Sequence, residues 1–80
     1  MDIIVGRNQK ISHILYKTKE EAREAYKPVA ILKALNEHWI VRFSNYRDTF
    51  YAVMPKATFQ LLRHSEFSIQ GARYDISRVA

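Results

Sequence analysis

Residues 38–54 read HWIVRFSNYRDTFYAVM, in which two runs rich in β-branched and aromatic side chains flank a polar segment at residues 44–48. This pattern is typical of a β-hairpin. Side chains alternate between the two faces of a strand, so Trp39, Val41 and Phe43 share one face of the first strand. The second strand repeats the alternation, with Phe50, Ala52 and Met54 on one face and Tyr51 and Val53 on the other. An isolated hairpin is only marginally stable in water, so the remaining residues must supply further strands and a covering layer.

The segment before this hairpin begins with a second, shorter hairpin pattern. Asp2–Val5 is a short apolar run, residues 6–10 form a polar loop opened by glycine, and residues 11–17 alternate in polarity. We therefore expect two strands joined by that loop. The alternative for residues 2–5 is a frayed terminus.

A helix start follows at Thr18. A threonine with Glu21 three residues later is a capping box, in which the hydroxyl accepts the Glu21 N–H and the carboxylate accepts the Thr18 N–H. Pro28 disfavours helical geometry at Lys27, which predicts that the helix ends there. Residues 29–35 are apolar and short, and we interpret them as a buried strand. The alternative is a second helix entered at Pro28.

The segment after the central hairpin indicates one more helix. Pro55 suits a helix start, and residues 56–64 carry apolar side chains and end in Arg63 and His64. Cationic side chains in a last turn complement the negative end of the helix dipole. We therefore expect a short second helix over residues 56–64.

The remaining residues complete the predicted fold. Residues 66–70 and 72–77 form either a last hairpin or one strand broken at Gly71, and residues 77–80 are expected to be a loose tail. Over residues 1–80 the prediction is a single small α+β domain. It has an antiparallel β-sheet of about four to six strands, with one or two helices packed on one face.

Composition excludes several classes of protein. The 80 residues include 13 Lys and Arg against 8 Asp and Glu, a formal charge of +5, and no cysteine. Disulfides and thiolate metal sites are therefore excluded, and we expect a cytoplasmic protein. No apolar run approaches the ~20 residues that span a bilayer. The first residues lack a signal-peptide pattern, so we expect no membrane association.

Motifs for catalysis are missing from the sequence. The chain has two glycines and contains no phosphate-binding loop, nucleophile elbow or metalloprotease motif. His13, His38 and His64 lie 25 and 26 residues apart, which is not a metal-ligand pattern. We therefore predict a protein that is not an enzyme, uses no cofactor or metal, and takes no small-molecule substrate.

Basic and aromatic residues provide the candidate binding site. Tyr46 and Arg47 at the central turn, with Arg42 and Tyr51 on the flanking strands, place guanidinium groups beside aromatic rings. Such groups stack on bases and pair with phosphates or carboxylates. Further basic residues extend the predicted patch, namely Arg63, Arg73 and Arg78. The alternative is that Arg47 pairs with Asp48 and that Arg42 is a solvated strand residue.

An apolar sheet face is a second predicted feature. If the helices cover one face of the sheet, the other face carries an apolar patch drawn from Ile40, Tyr51, Val53, Tyr74 and Ile76. Exposed patches of this kind mark interaction sites. The alternative is that helices and loops cover both faces.

Together these features predict a non-enzymatic binding module that contacts a larger protein as an inhibitor, adaptor or regulator. Tyrosine and arginine are the residue types that most often anchor protein interfaces. The partner is expected to be a protein, including one that handles nucleic acid, or a second copy of the chain. The alternative is direct, weakly sequence-specific binding of RNA or DNA, which the positive charge favours.

Overall fold

The computed structural model describes residues 1–31 and 37–80, which form six β-strands and two α-helices. In chain order the elements are β1 (Asp2–Val5), β2 (Gln9–Ser12), α1 (Lys19–Ile31), β3 (His38–Ser44), β4 (Thr49–Pro55), α2 (Lys56–Arg63), β5 (Phe67–Ile69) and β6 (Asp75–Arg78). Neither helix in these two ranges is long and apolar enough to cross a membrane.

The strands form two antiparallel sheets of three strands each. One has the order β2-β1-β5 and the other has the order β4-β3-β6. The α+β class and the predicted strand number are thus confirmed, with two sheets in place of the single sheet expected. Both predicted hairpins are present, as β1–β2 and as β3–β4. The second strand of the first hairpin is Gln9–Ser12 and not residues 11–17, because the turn takes only residues 6–8.

The core lies on the side of β3 that carries Trp39, Val41 and Phe43, all of which are buried. Phe59 and Leu62 of α2 are buried in the same cluster, together with Ile3 and Ile69 from the other sheet. Phe59 packs edge-to-face on Trp39, with ring centroids 5.2 Å apart. Each fully buried side chain of this size stabilises the fold by about 1.5–3 kcal/mol.

Helix α1 covers the opposite face of β3. Ile40 is 2 % exposed and Ala22 of α1 is fully buried, yet both lie outside the core cluster that contains Trp39. Because neighbours along a strand point to opposite faces, Ile40 packs on the side where α1 contacts β3 and β4. The helices therefore cover opposite faces of the sheet, whereas one covered face was expected. The reason is that β3 carries large apolar side chains on both faces.

Helix α1 starts as predicted and ends later than predicted. The Thr18 hydroxyl oxygen accepts the Glu21 N–H at 3.1 Å, as predicted. The Glu21 carboxylate accepts the Thr18 hydroxyl at 3.1 Å in place of the predicted Thr18 N–H. The helix then runs through Pro28 to Ile31. Proline removes one N–H from the helix, and Pro28 is exposed, so its ring displaces no packing.

The interpretation of residues 29–35 is therefore wrong for 29–31, which are helical. The alternative of a second helix entered at Pro28 is also wrong, because α1 is continuous there. Residues 32–35 lie outside the described residues.

The C-terminal residues belong to the sheet. A tight turn at Gln70 and Gly71, with φ of 53° and 75°, is closed by two backbone bonds of 2.9 and 3.0 Å between Ile69 and Ala72. The predicted last hairpin is therefore limited to this one residue pair, since β6 joins the other sheet beside β3. The expectation of a loose tail is wrong, because Val79 N–H donates to the Ile40 carbonyl at 2.8 Å.

Candidate interaction surface

The turn of the central hairpin, residues 45–48, is called the hairpin tip. Its two central residues, Tyr46 and Arg47, have ordinary negative φ, since Gln70 is the non-glycine residue with positive φ in the described chain. The Asn45 side chain supplies the missing turn bonds. Its Oδ1 accepts the N–H groups of Arg47 and Asp48, both at 2.8 Å, and Asn45 N–H donates to the Asp48 carbonyl at 3.0 Å. Asparagine favours turns for this reason.

The hairpin tip is also fixed to the segment that leads into β6. Asn45 Nδ2 donates to the Arg73 carbonyl at 3.0 Å, and the Tyr74 hydroxyl donates to Asp48 Oδ2 at 3.3 Å. Burial raises the pKa of the Tyr74 phenol, and the Asp48 carboxylate raises it further. The phenol therefore stays protonated and keeps its donor. The first and last residues of the tip, Asn45 and Asp48, are therefore both hydrogen-bonded to this segment.

Two side chains project from this fixed turn. Tyr46 is 94 % exposed, and Arg47 is also exposed. The predicted alternative, an Arg47–Asp48 ion pair, is not observed, since the ion pairs of the described residues are Lys27–Glu24 and Arg73–Glu66. An apolar ring and an unpaired guanidinium therefore lie side by side on a rigid turn.

The other predicted site residues fall into three places. Arg73 lies next to the hairpin tip, where its guanidinium is 3.8 Å from the Glu66 carboxylate. Arg42 is exposed on the α1 face of β3, in register with Tyr51 of β4, which is half-buried. Arg63 is exposed at the end of α2, on the core side of the sheet. The structure thus brings Tyr46, Arg47 and Arg73 to one end of the molecule and leaves the rest apart.

The predicted apolar patch is absent from the described surface. Ile40 and Tyr74 are buried, while Tyr51, Val53 and Ile76 are half-buried. Ile76 lies in register with Phe43 and packs against the core cluster, so it belongs to the core side. The alternative, in which both faces are covered, describes this sheet.

An open groove of about 290 Å³ lies beside the hairpin tip. Asn45 and Tyr74 line one part of it, and Glu66, Phe67 and Arg73 line another. The exposed Arg73–Glu66 pair at its rim contributes little to stability, because solvent screens the charges. The groove is open to solvent, and its lining is partly polar and partly apolar.

A second groove of about 270 Å³ lies at the other end of the central hairpin, and His13 and His38 both line it. Burial, the positively charged amino terminus and His38 lower the pKa of His13. Within residues 1–31 and 37–80, no group of three or more His, Asp or Glu side chains is placed to hold a metal ion.

One residue of this surface, Asn45, was missed from the sequence, and the position of another, Arg78, was not foreseen. Asn45 orders the hairpin tip, and its place as the first residue of the four-residue turn was the available signal. Arg78 was named only as an extension of the patch, yet its guanidinium lies 3.9 Å from the centroid of the Trp39 ring. No local sequence pattern connects Arg78 with Trp39, because the two residues are far apart in the sequence.

No protein-family model, curated protein or solved structure matches the chain. The interpretation of this surface therefore depends on its own geometry.

Proposed function

We propose that this protein is a non-enzymatic binding module whose hairpin tip contacts a larger protein as an inhibitor, adaptor or regulator. The observation that supports this proposal is the 94 % exposure of Tyr46 on a turn held by side-chain hydrogen bonds. A large ring displayed on a fixed backbone loses little conformational freedom when it is buried by a partner.

The chemistry of the hairpin tip supports a protein partner. Tyrosine and arginine dominate the energetic centres of protein interfaces, because each combines a large apolar contact area with directed hydrogen bonds. Tyr46 and Arg47 are adjacent and exposed, and Arg73 lies next to them. We propose that Tyr46 inserts into a pocket of the partner while Arg47 pairs with a carboxylate at its rim.

The charge of the chain restricts the kind of partner that it attracts. A formal charge of +5 favours encounter with an acidic surface, including the acidic surface of a complex that handles nucleic acid. A second copy carries the same charge, so self-association is the weaker form of the proposal. The lack of cysteine fits a reducing compartment, and we propose that the protein acts in the cytoplasm.

Direct binding of RNA or DNA is the second candidate. The observation that favours it is that Arg42, Arg47, Arg63 and Arg78 are exposed and take part in no ion pair among the described residues. Unpaired arginines are available to neutralise phosphates. Their separation over several faces argues for the protein partner, because a nucleic-acid groove needs its cations along one track.

Site-specific photocrosslinking in living cells tests the protein partner. A photoreactive phenylalanine analogue replaces Tyr46 in one variant and the exposed Glu20 of α1 in the matched control. We expect a discrete crosslinked protein from position 46 that is absent from position 20 and is lost when Arg47→Glu is added. Equal products from both positions, or none from position 46, would contradict the proposal.

Binding of labelled RNA and DNA across about 50 to 200 mM salt tests the second candidate. Neutralised phosphates make the affinity fall steeply with salt. We expect no binding tighter than the non-specific range of roughly 10⁻⁴ to 10⁻⁶ M. Tighter binding with a steep salt slope, together with no crosslinked protein, would establish direct nucleic-acid binding instead.

A further inference from the structure

We propose that the free edge of β6 binds an extended, acidic segment of the partner as a fourth strand of the β4-β3-β6 sheet. This inference names the partner chemistry for the proposed function and rests on it. Addition of a strand to an open sheet edge is a common mode of peptide recognition, in which the backbone supplies affinity and alternate side chains supply specificity.

The register shows which backbone groups of β6 are free. Ile40 donates its N–H to the Ala80 carbonyl at 2.8 Å, and its carbonyl accepts the Val79 N–H at 2.8 Å. The backbone N–H and C=O groups of the even-numbered residues of β3 therefore point toward β6. Arg42 and Ser77 are partners in this register. Backbone groups alternate in direction along a strand, so Ser77 bonds to β3, while the N–H and C=O groups of Ile76 and Arg78 point outward.

Two of the other three sheet edges are covered by the chain itself. On β4, Tyr51 exchanges two backbone bonds with Tyr16, of 2.7 and 2.8 Å. On β5, Ile69 is bonded to Ala72 across its own turn. A strand added along either edge would have to displace these bonds.

The third edge, β2, is protected by its side chains. Lys10 and Ser12 are exposed along it, and Ser12 Oγ donates to the Asp2 carboxylate at 2.8 Å. Charged and polar edges of this kind resist pairing. Both this edge and the edge of β6 carry an exposed cation, Lys10 on β2 and Arg78 on β6. The edge of β6 differs because its cation is held against an aromatic ring.

Arg78 determines the charge of the added segment. Its guanidinium lies 3.9 Å from the Trp39 ring centroid, and the Lys56 ammonium lies 5.7 Å from the same centroid. Neither cation is in an ion pair with a described residue. Stacking holds the guanidinium plane while its N–H groups remain available to a carboxylate. A second copy of this chain would bring another Arg78 and a further +5 to the edge, so an acidic partner is favoured.

The edge of β6 is continuous with the hairpin tip. Asp75, the first residue of β6, pairs with Ser44, which immediately precedes the tip. A segment that extends β6 therefore ends beside Arg73 and the groove next to the tip. One partner chain can contact both places.

The test uses the whole protein and a short, end-capped peptide that alternates glutamate and valine. Amide exchange and chemical shifts are followed by NMR during titration to millimolar peptide. We expect exchange to slow at Ile76 and Arg78, whose amides point outward, with little change at Asp75 and Ser77, whose amides already bond to β3. A peptide that alternates lysine and valine is the charge control. Two further peptides, N-methylated on the glutamates or on the valines, are the backbone controls, and we expect only the one whose methylated amides face β6 to lose binding.

Variants distinguish binding at the β6 edge from non-specific attraction between charges. Arg78→Gln should weaken binding of the glutamate peptide about tenfold, while Arg7→Gln, the same change in the exposed β1–β2 loop, should leave the affinity unchanged. An unchanged amide spectrum away from β6 verifies that Arg78→Gln is folded. Equal binding of the lysine peptide, or no response at Ile76 and Arg78, would overturn the proposal. Slow exchange at these amides in the free protein together with a doubled mass would assign the edge to a second copy instead.

Failure of this inference is distinguishable from failure of the proposed function. If the peptide binds β6 and position 46 crosslinks no protein, the edge is a binding site and the hairpin tip is not. If position 46 crosslinks a protein and the peptide leaves β6 unaffected, the tip binds and the edge does not.

Discussion

The base and the tip of the central hairpin differ in what holds them. Trp39 near the base is 8 % exposed and packs on Phe59, whereas Tyr46 at the tip is 94 % exposed. The base is stabilised by burial of apolar surface, and the tip is stabilised by the hydrogen bonds of Asn45 and Tyr74. One hairpin therefore buries its aromatic side chain at one end and exposes one at the other.

Removal of the indole at the base should have the largest effect. We expect Trp39→Ala to lower the free energy of unfolding by about 3–5 kcal/mol, through lost burial and the cavity left between Phe59 and Arg78. Urea unfolding measures this change. Trp39→Phe is the matched control and should lose much less, because the buried Trp39 Nε1 has no hydrogen-bond partner among the described residues. An unchanged midpoint for Trp39→Ala would mean that the core lies elsewhere.

Removal of the side chain that orders the tip should have a smaller effect. Asn45→Ala deletes two acceptor bonds and one donor bond, and we expect a loss of about 1–2 kcal/mol in the free energy of unfolding. The same loss should appear as faster amide exchange at Arg47 and Asp48. Asn8→Ala in the exposed β1–β2 loop is the control and should be neutral. If both variants are equally stable, the tip is not held by its side chains.

A fall in pH should lower the free energy of unfolding by a further small amount, through His13 beside the base of the hairpin. Burial holds the pKa of His13 below its ordinary 6.5, so the unfolded chain binds a proton there at a higher pH than the folded protein does. The stability contributed by neutral His13 is complete above about pH 6.5 and is lost as the pH falls below it. The urea concentration at the unfolding midpoint should therefore fall as the pH is lowered from about 7.5 to 5.5.

The matched variants for this pH effect are His13→Gln and His64→Gln. The first should flatten the fall, because the glutamine side chain does not titrate. The second changes an exposed residue at the end of α2 and should leave the fall unchanged. Identical pH profiles for wild type and His13→Gln would show that other groups cause the fall.

Removal of the displayed ring should have the smallest effect on stability. Tyr46→Ala changes a side chain that is 94 % exposed, so we expect the free energy of unfolding, measured in urea, to stay within about 0.5 kcal/mol of wild type. Loss of partner binding with no loss of stability is the signature of an interaction residue. A drop as large as that of Asn45→Ala would show instead that Tyr46 is structural.

Local patterns predicted most of the secondary structure. The alternation of Trp39, Val41 and Phe43 identified β3 and its core face, and the Thr18–Glu21 spacing identified the start of α1. These predictions hold because each depends on residues within one strand or one helical turn. The predicted end of α1 was wrong. The preference of the residue before Pro28 for extended backbone is weak, and the packing of α1 against β3 and β4 outweighs it.

The candidate site was predictable only in part. Tyr46 and Arg47 were identified because a turn displays its central residues, and this requires only the two flanking strands. Arg42 and Arg63 were grouped with them by residue type, and the structure separates them onto different faces. The grouping of distant arginines depends on which strands become neighbours, which no local pattern encodes.

The strands of the central hairpin, the starts of both helices and the charge follow from the sequence alone, because they depend on side-chain alternation, capping and composition. The tertiary structure alone decided that β6 pairs with β3, that Arg78 stacks on Trp39, and that Asn45 reaches Arg73. Each of these contacts joins residues that are 28 or more positions apart. Their formation depends on the free energy of the whole packed arrangement, in which burial of both faces of β3 selects the order of the strands.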